Sequence, residues 1–304
     1  MALSTCVVTT DESGKEQVVH GTPLFPYACY NDNMETDPVP WHWHDHLEII
    51  VVEQGTAVVS VEGETRLVRQ GDGCFINAGA LHSVWEGEDG LCILRSAVFL
   101  PRLVGGSMDS IFWQRYVGPL VANTGARFIS FHKETAWERE AIQAIEGAWL
   151  ASVEDAPGYE FQVRADLSRL ILLLCRHCPP EEKGLSDKAL RDSERIKVML
   201  QFIQENYGEE LTTEKIARSA AISDSECLRC FRAMVDTTPI QYVKQLRVQK
   251  AAELLAGTDR KIADIGALCG FQEMSYFAKT FRALKGRTPS AYRAEKRAAG
   301  LRKL

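Results

Sequence analysis

The chain has no long apolar run and no hydrophobic leader. None of its segments reaches the ~18 consecutive apolar residues that a membrane-spanning helix needs. The sequence does not open with a positively charged stretch followed by an apolar one, which is the pattern of a secretory signal. We therefore expect a cytoplasmic protein that has no membrane partner.

Cysteine is scattered along the chain, and the odd total of nine argues against a disulfide framework. Such irregular use is typical of a reducing compartment. Two pairs have the C-x-x-C spacing of zinc sites, Cys175 with Cys178 and Cys227 with Cys230. Cys175 ends an apolar run, and Cys227 aligns with Phe277 in an internal repeat. We therefore expect both pairs to pack as small apolar residues and to bind no zinc.

The chain also lacks net positive charge, but its charges are unevenly distributed. The net charge is −6. Residues 193–304 hold 20 Lys and Arg against 13 Asp and Glu, whereas residues 1–192 hold 15 against 28. A locally positive surface is expected of a DNA-binding module, because phosphate contacts supply most of the non-specific affinity for DNA. The alternative is that these charges only maintain solubility.

The basic C-terminal part contains one sequence unit twice, fifty positions apart. So many identities at one fixed offset indicate an internal repeat. The aligned pairs are Ala217 with Ala267, Ser225 with Ser275, the triplet FRA at 231–233 with the same triplet at 281–283, Thr238-Pro239 with Thr288-Pro289, and Tyr242 with Tyr292.

Each copy predicts a helix, a tight turn and a second helix. In the first copy we expect a helix over 213–220, and then Ser223 and Glu226, which have the spacing of a capping box that starts the second helix. Thr238 and Pro239 predict the start of a long connecting helix that ends at Gly257.

The second copy predicts the same three elements. We expect Ile262, Ile265 and Leu268 to face inward from its first helix, since they share a helical spacing. Gly270 marks the turn, because glycine adopts backbone shapes that other residues resist. The second helix is expected over 276–284. The connecting helix would hold two helix-turn-helix units at a separation that suits successive major grooves.

The segment IADIGALCGFQEMSYFAKTFRALKGRTPSAYR at 262–293 resembles the second half of the DNA-binding domain of AraC/XylS transcription regulators. The first copy is similar to the more divergent first half, and the resemblance covers roughly residues 193–295. It implies an activator or repressor that binds an asymmetric site in double-stranded promoter DNA, often as a homodimer. An activator of this kind would also contact RNA polymerase.

Helix geometry predicts which side chains of the second helices face away from the core. With Cys227 and Phe231 inward, the outward positions of the first copy recur fifty residues later. The resemblance implies that six of these outward side chains face bases, namely Ser225, Leu228, Arg229, Ser275, Tyr276 and Lys279. Arg229 is the first choice, because a guanidinium group matches two acceptors on guanine. For each of the others the alternative is a solvated or phosphate-contacting residue. The candidate DNA contacts are Ser225, Leu228, Arg229, Arg232, Ser275, Tyr276, Lys279 and Arg282.

The acidic N-terminal part has the pattern of an antiparallel sandwich or barrel. Between about residues 39 and 99, the short β-branched runs EIIVVEQG, TAVVSVEG, CFINAG and LCILRSAVFL alternate with glycine-bearing turns. The sequence HWH at 42–44 with Glu48, followed by Gly71, Gly79 and His82, resembles the two cupin motifs over roughly residues 35–100. Asn77 stands where that family usually has proline, and Glu86 stands where it often has asparagine.

The cupin resemblance implies a jelly-roll fold and a site at His42, His44, Glu48 and His82. In metal-binding members these four would hold a divalent transition metal, and three imidazoles with a carboxylate suit Zn, Fe, Mn, Ni or Cu. In similar regulators the same strand often lines an effector pocket without metal, and plain packing is the third alternative. Trp43 is a further candidate for effector contact, and the apolar pocket wall would come from Trp41, Trp43 and Trp85.

Two helical patterns lie between the halves, and they end before a proline-led polar linker. The apolar stripe of the second helix contains Leu167, Leu170, Ile171 and Leu174. It predicts either packing against the sandwich or an isologous dimer surface, which the family resemblance favours.

The sequence thus predicts a multidomain α+β protein. Its parts are a cupin-like effector-sensing domain at 1–135, a helical dimerisation hairpin at 136–178, a linker at 179–192 and an all-α double helix-turn-helix domain at 193–304. The predicted function is sequence-specific, effector-responsive transcription regulation without catalysis. The alternatives are a cupin metal-dependent oxygenase or isomerase fused to a DNA anchor, and a nucleoid-like binding protein.

Overall fold

A computed structural model describes residues 15–34, 38–87, 90–179 and 187–301 of the chain. The chain forms two compact units, Met1–Ser193 and Glu194–Leu304. None of the described helices is long and apolar enough to span a membrane.

The N-terminal unit is built on eight antiparallel strands, which confirms the predicted sandwich or barrel. Five strands follow the order β1-β7-β3-β5-β8. Strands β4 and β6 also pair with β3, and β2 pairs with β6. The strands are β1 Tyr27–Asn33, β2 Val39–His42, β3 Leu47–Val61, β4 Glu64–Arg69, β5 Gly73–Ile76, β6 His82–Glu86, β7 Cys92–Phe99 and β8 Phe128–Phe131.

Strand β3 is 15 residues long and belongs to both parts of the sheet. Its first half pairs with β5 and β7, and its second half pairs with β4 and β6. The change of partner follows Gly55, which has a φ of +74° and lies so close to the carbonyl of Leu91 that a Cβ would be 1.7 Å from its oxygen. Glycine is therefore required where the strand bends.

The first half of β3 is buried on both faces, which explains why its sequence does not alternate between apolar and polar residues. Ile50 and Val52 face the barrel interior, and Ile49 and Val51 belong to the core cluster that contains the helices. These helices are α1 Arg102–Gly105, α2 Gly118–Ala122, α3 Ala136–Glu154 and α4 Tyr159–His177, with a π-helical turn at Trp113–Val117 and a 3₁₀ turn at Thr124–Ala126.

Helices α3 and α4 form the predicted hairpin, but the expected dimer stripe lies inside the unit. Leu167, Leu170 and Leu174 are fully buried and Ile171 is nearly so, in the same cluster as the outer face of β3. Packing against the sandwich is therefore correct for these residues. Other apolar side chains of this region are exposed, among them Phe112, Tyr116, Phe161 and Leu172.

The C-terminal unit is all helical. The connecting helix has the predicted bounds and is capped by Thr238, whose Oγ1 accepts a hydrogen bond from the Gln241 N–H at 3.3 Å. The helices are α5 Asp187–Asn206, α6 Thr213–Ser219, α7 Asp224–Val235, α8 Pro239–Gly257, α9 Ile262–Leu268, α10 Met274–Lys285 and α11 Pro289–Leu301. Residues 180–186 of the predicted linker lie outside the described residues, and residues 187–192, which are also part of the predicted linker, are helical.

The fifty-residue offset holds for the second helices of the repeat but not for the first. The helices α7 and α10 start fifty residues apart, whereas α6 and α9 start 49 apart, because the second turn contains one more residue. Ala217 is therefore equivalent to the buried Gly266, and the predicted pairing with Ala267 is wrong. Leu268, which its helical spacing predicted to face inward, is 49% exposed, and the next residue, Cys269, is buried instead.

Candidate DNA interface and metal centre

Helices α7 and α10 have equal lengths of 12 residues and equivalent buried faces. Cys227 and Phe231 are fully buried in α7, as are Phe277 and Phe281 in α10. Both helices end at a left-handed residue, Asp236 in the first and Gly286 in the second. The repeat therefore presents two matching outer faces.

The start of α7 is fixed by the predicted capping box. Ser223 Oγ accepts a hydrogen bond from the Glu226 N–H at 3.3 Å, and the Glu226 carboxylate accepts one from the Ser223 N–H at 3.2 Å. Glu226 is thus engaged at the helix terminus and, as expected, is not placed to contact bases. Helix α10 starts at Met274, two residues before the predicted bound, with Glu273 in the N-cap position.

All eight predicted DNA contacts lie on the outer faces of these helices. Leu228 is half-buried, and the other seven are exposed. Tyr276 is 45% exposed, with its ring tilted against Phe271 at 6.2 Å. The outer face of α7 forms a shallow concave surface lined by Ser225, Leu228, Arg229, Arg232 and Ala233. These faces combine basic, hydroxyl and apolar side chains, which are the groups that contact phosphates and base edges.

The second candidate site is the histidine cluster, defined as His42, His44, Glu48 and His82. All four are buried, and one donor atom from each lies within 4.8 Å of the others. His42 and His82 are paired across β2 and β6, and His44 and Glu48 bracket the turn into β3. The two cupin-like motifs thus converge as predicted.

Backbone carbonyls fix the orientation of all three imidazoles. Nδ1 of His42 donates to the Pro40 oxygen at 2.9 Å, Nδ1 of His82 donates to that of Ala80 at 2.9 Å, and Nδ1 of His44 donates to that of His46 at 3.1 Å. Because a carbonyl can only accept, each Nδ1 carries the proton. This leaves Nε2 for the centre of the cluster, which is the arrangement found around metal-bound histidines.

Glu48 faces these nitrogens. Its Oε2 is 2.8 Å from Nε2 of His82 and 3.2 Å from Nε2 of His44. The buried Nε2 of His82 has no well-directed hydrogen bond among the described residues. A cation bound at the centre of the cluster would interact with this nitrogen and with the carboxylate that faces it.

Burial and mutual charge set the protonation of the cluster. Burial, with the charge of His82 adding to it, lowers the pKa of His42 to about 3. Burial alone would raise the pKa of Glu48, but the charge of His82 and a hydrogen bond from His44 hold it well below its usual range. Burial opposes protonation of His82, yet the charge of Glu48 raises the pKa of this imidazole. A cation bound beside the ionised carboxylate would displace that proton.

The cavity beside the cluster is small. His42, His44 and Glu48 help to line a volume of about 20 Å³, which is enough for a water molecule or an ion. An organic effector needs a pocket of roughly 300 Å³ or more. The donor set, the tautomers and the space therefore fit a transition metal ion better than an organic ligand in direct contact with all four residues.

Trp43 does not line this cavity, and its predicted contact with an effector stays a prediction. It lies between two inward histidines on an extended segment, and alternation directs it outward. Its ring lies 5.1 Å from Lys15 Nζ, and its carbonyl accepts the Glu16 N–H at 2.9 Å. Trp85 is 37% exposed, and neither it nor Trp41 lines the cavity.

Two buried residues of the cavity wall, Glu16 and His20, belong to no motif. Glu16 Oε2 is 2.8 Å from Nε2 of His20 and 3.9 Å from Nε2 of both His42 and His44. Burial would raise the pKa of Glu16, but the hydrogen bond from His20 and the charge of His42 lower it overall. The only sequence signal is an acid four residues before a histidine, which is common on protein surfaces.

The cysteine pairs match the packing interpretation. Cys227 and Cys230 are buried in α7, and Cys175 and Cys178 are half-buried near the end of α4. Each of the eight cysteines that the structure describes is a free thiol.

Known proteins resemble both units. Residues 25–196 match the family described as AraC-like ligand binding domain, and residues 216–295 match the family described as Helix-turn-helix domain. The chain is 28% identical over 286 residues to the uncharacterized HTH-type transcriptional regulator YdeC of Bacillus subtilis (strain 168), covering 93% of this chain and 97% of that protein. It is 25% identical over 269 residues to the HTH-type transcriptional activator RhaS of Klebsiella pneumoniae (strain 342), covering 87% and 92% respectively.

A solved structure is similar to part of the chain. This is a transcriptional regulator with an AraC-type DNA-binding domain from Chromobacterium violaceum, with 30% identity and a TM-score of 0.33 over 34% of this chain and 91% of that one.

Proposed function

We propose that this chain, which belongs to the AraC family of transcription regulators, recognises promoter DNA with the outer faces of α7 and α10. Its N-terminal unit is a ligand-binding domain of the AraC type, and its C-terminal unit is a helix-turn-helix domain. The observation that carries the proposal is the equivalence of the exposed positions on two helices of equal length. The connecting helix α8 has 19 residues, and at 1.5 Å per residue it is about 28 Å long. This length is close to the ~34 Å between successive major grooves on one face of DNA.

The outer residues divide by their chemistry. Arg229 is placed one turn into α7 and would contact a guanine through two hydrogen bonds, and Lys279 is its equivalent in α10. Arg232 and Arg282 lie further along each helix and would contact phosphates. Ser225, Leu228, Ser275 and Tyr276 would complete the base contacts.

The test is selection of binding sites from a random duplex library with the full-length protein, followed by affinity measurements with Arg229→Ala. We expect a loss of about 1–3 kcal/mol at one base position and a relaxed preference there. The matched control is Arg218→Ala, which removes an exposed arginine of α6 that pairs with Glu214 at 2.6 Å. Unchanged specificity in Arg229→Ala would contradict the assignment.

We further propose that the histidine cluster holds a divalent transition metal ion and that this ion belongs to the signal-responsive part of the regulator. The proposal is supported by three Nε2 atoms and one ionised carboxylate around a space of ionic size. Within this proposal Trp43 has no ligand role.

Elemental analysis of the purified protein tests the metal centre. We expect close to one transition metal ion per chain, and loss of that ion in His82→Ala. His132→Ala is the matched control, because His132 is exposed and pairs with Glu138 at 2.9 Å, outside the cluster. A wild-type protein that takes up no transition metal from a solution of Zn²⁺, Mn²⁺, Ni²⁺ or Co²⁺ would refute the proposal.

A metal-dependent enzyme fused to a DNA-binding domain is the second candidate, favoured by the donor set alone. An enzyme of this kind needs an open metal position and room for a substrate. The cavity of about 20 Å³ supports regulation over catalysis. Turnover of a small carbonyl or diol substrate by the metal-loaded protein, lost in His82→Ala, would favour the enzyme.

We also propose that the regulator is a homodimer joined through the exposed apolar side chains beside α4. Phe161 is 82% exposed and Phe112 is 56% exposed, and with Tyr116 and Leu172 they line one groove. A second copy would bury this surface in an isologous contact. Sedimentation should show a monomer for Leu172→Glu and a dimer for the control Leu150→Glu on α3, which is 45% exposed outside the groove. A wild-type monomer at micromolar concentration would contradict this proposal.

A further inference from the structure

The segment that precedes the first strand is attached to the edge of the histidine cluster. The Glu16 N–H donates to the Trp43 carbonyl oxygen at 2.9 Å, and Lys15 forms a parallel bridge with Trp43. Lys15 also forms an ion pair with Asp45. These contacts hold Glu16 beside the extended segment that carries two of the cluster histidines, so its side chain reaches the cavity.

The Glu16 carboxylate lies close enough to two of the cluster histidines to share an ion with them. Two ligands on opposite sides of one ion are at most ~4.2 Å apart, since each is about 2.1 Å from it. Glu16 Oε2 lies 3.9 Å from Nε2 of both His42 and His44. The side chain is only 2% exposed, so the carboxylate is not directed to solvent.

A hydrogen-bonded chain orients that carboxylate. His20 Nε2 donates to Glu16 Oε2 at 2.8 Å, and His20 Nδ1 contacts the Tyr30 hydroxyl at 2.8 Å. All three residues are buried. Such a relay fixes both the position and the charge of a carboxylate ligand, as the outer partners of metal ligands do.

We propose that Glu16 is a further ligand of the metal ion and that His20 and Tyr30 are its positioning residues. This inference rests on the proposed metal centre. The two cupin-like motifs supply four ligands, and Glu16 adds a fifth from outside them. Catalytic metal sites keep a position open, whereas sites closed by protein ligands serve structure or regulation. A fifth protein ligand leaves fewer positions on the ion for a substrate than the four cupin-like ligands alone would.

The test titrates the metal-free, full-length protein with Co²⁺ and records the dissociation constant and the visible absorption spectrum, which reports the coordination number. We expect Glu16→Gln to weaken binding by about 10- to 100-fold and to change the spectrum to that of a lower coordination number. His20→Ala and Tyr30→Phe should weaken binding by less and shift the spectrum in the same direction. The matched control is Asp32→Asn, which removes a buried acid of the same cavity wall and should leave the spectrum unchanged.

The outcomes separate this inference from the metal centre itself. Wild-type affinity and spectrum in Glu16→Gln, with binding lost in His82→Ala, would overturn the role of Glu16 and leave the metal centre in place. Equal binding by the wild type and His82→Ala, or none by either, would refute the metal centre and the inference together. If Glu16→Gln does not fold, His20→Ala and Tyr30→Phe decide the question, since a purely structural role would leave the Co²⁺ spectrum of the folded protein unchanged.

Discussion

Removal of the metal ion is expected to lower the melting temperature of the N-terminal unit and of that unit alone. An ion that binds only the folded state stabilises it by RT ln(1 + [L]/Kd), which is about 2.7 kcal/mol at a hundred times the dissociation constant. For a unit of this length, Met1–Ser193, each kcal/mol corresponds to roughly 2–4 °C. Chelation should therefore lower the melting temperature by about 5–11 °C.

The distribution of tryptophan makes this measurable in the full-length protein. The six tryptophans, at positions 41, 43, 85, 113, 137 and 149, all lie in the N-terminal unit. Tryptophan fluorescence during heating therefore reports the unfolding of that unit only. Circular dichroism at a helical wavelength also follows the C-terminal unit, whose transition should be the same with and without the ion.

Two variants decide whether the shift arises at the histidine cluster. His82→Ala removes a fully buried ligand, so its melting temperature should no longer respond to the ion. His132→Ala removes a histidine of 60% side-chain exposure and should respond as the wild type does. An equal shift in the wild type and His82→Ala would refute the reasoning, since the ion would then bind elsewhere. No shift at saturating ion would do the same.

Three further predictions follow from local geometry. Gly55→Ala should destabilise the N-terminal unit by about 3 kcal/mol or more, because it combines a positive φ with a backbone clash. Gly79→Ala, at a φ of +72° with no neighbour within 4 Å, should cost only about 1–2 kcal/mol. Equal midpoints of urea unfolding for the two variants would contradict this. Ser223→Ala should cost the C-terminal unit about 1 kcal/mol through loss of the capping box, and an unchanged thermal transition would show that water replaces the cap. Arg282→Ala should weaken binding to specific and random duplexes alike and reduce the slope of log affinity against log salt by about one unit; retention of the full slope would place Arg282 away from the phosphates.

The double helix-turn-helix unit could be predicted almost completely from the sequence, because its signals are local. Capping at Ser223 and Thr238 depends on residues at most three positions away, and the structure places both caps as predicted. The mispairing of Ala217 with Ala267 arose from a single added turn residue. An identity-based alignment cannot detect that residue when Ala217 happens to match Ala267.

The N-terminal unit was predicted in outline and corrected where long-range packing decides. Strand alternation places His42 and His44 on one side and Trp43 on the other, so Trp43 lies away from the cavity that the histidines line. The stripe around Leu170 predicted an apolar face, but no local signal states which surface covers it. Glu16 lies outside both motifs, and only the tertiary contact with the Trp43 carbonyl brings it to the cluster.

Strand β3 lies between the cavity of the histidine cluster and the outer layer of helices. Glu48 and Ile49 are consecutive on it and face opposite ways, the first toward the three imidazoles and the second into the core with α3. Ile49 shares that closely packed core with Ala141 and Ile145 of α3, so it has little room to shift. We expect a change in charge at Glu48 to reach the helical layer through Ile49, because one peptide bond separates the two residues.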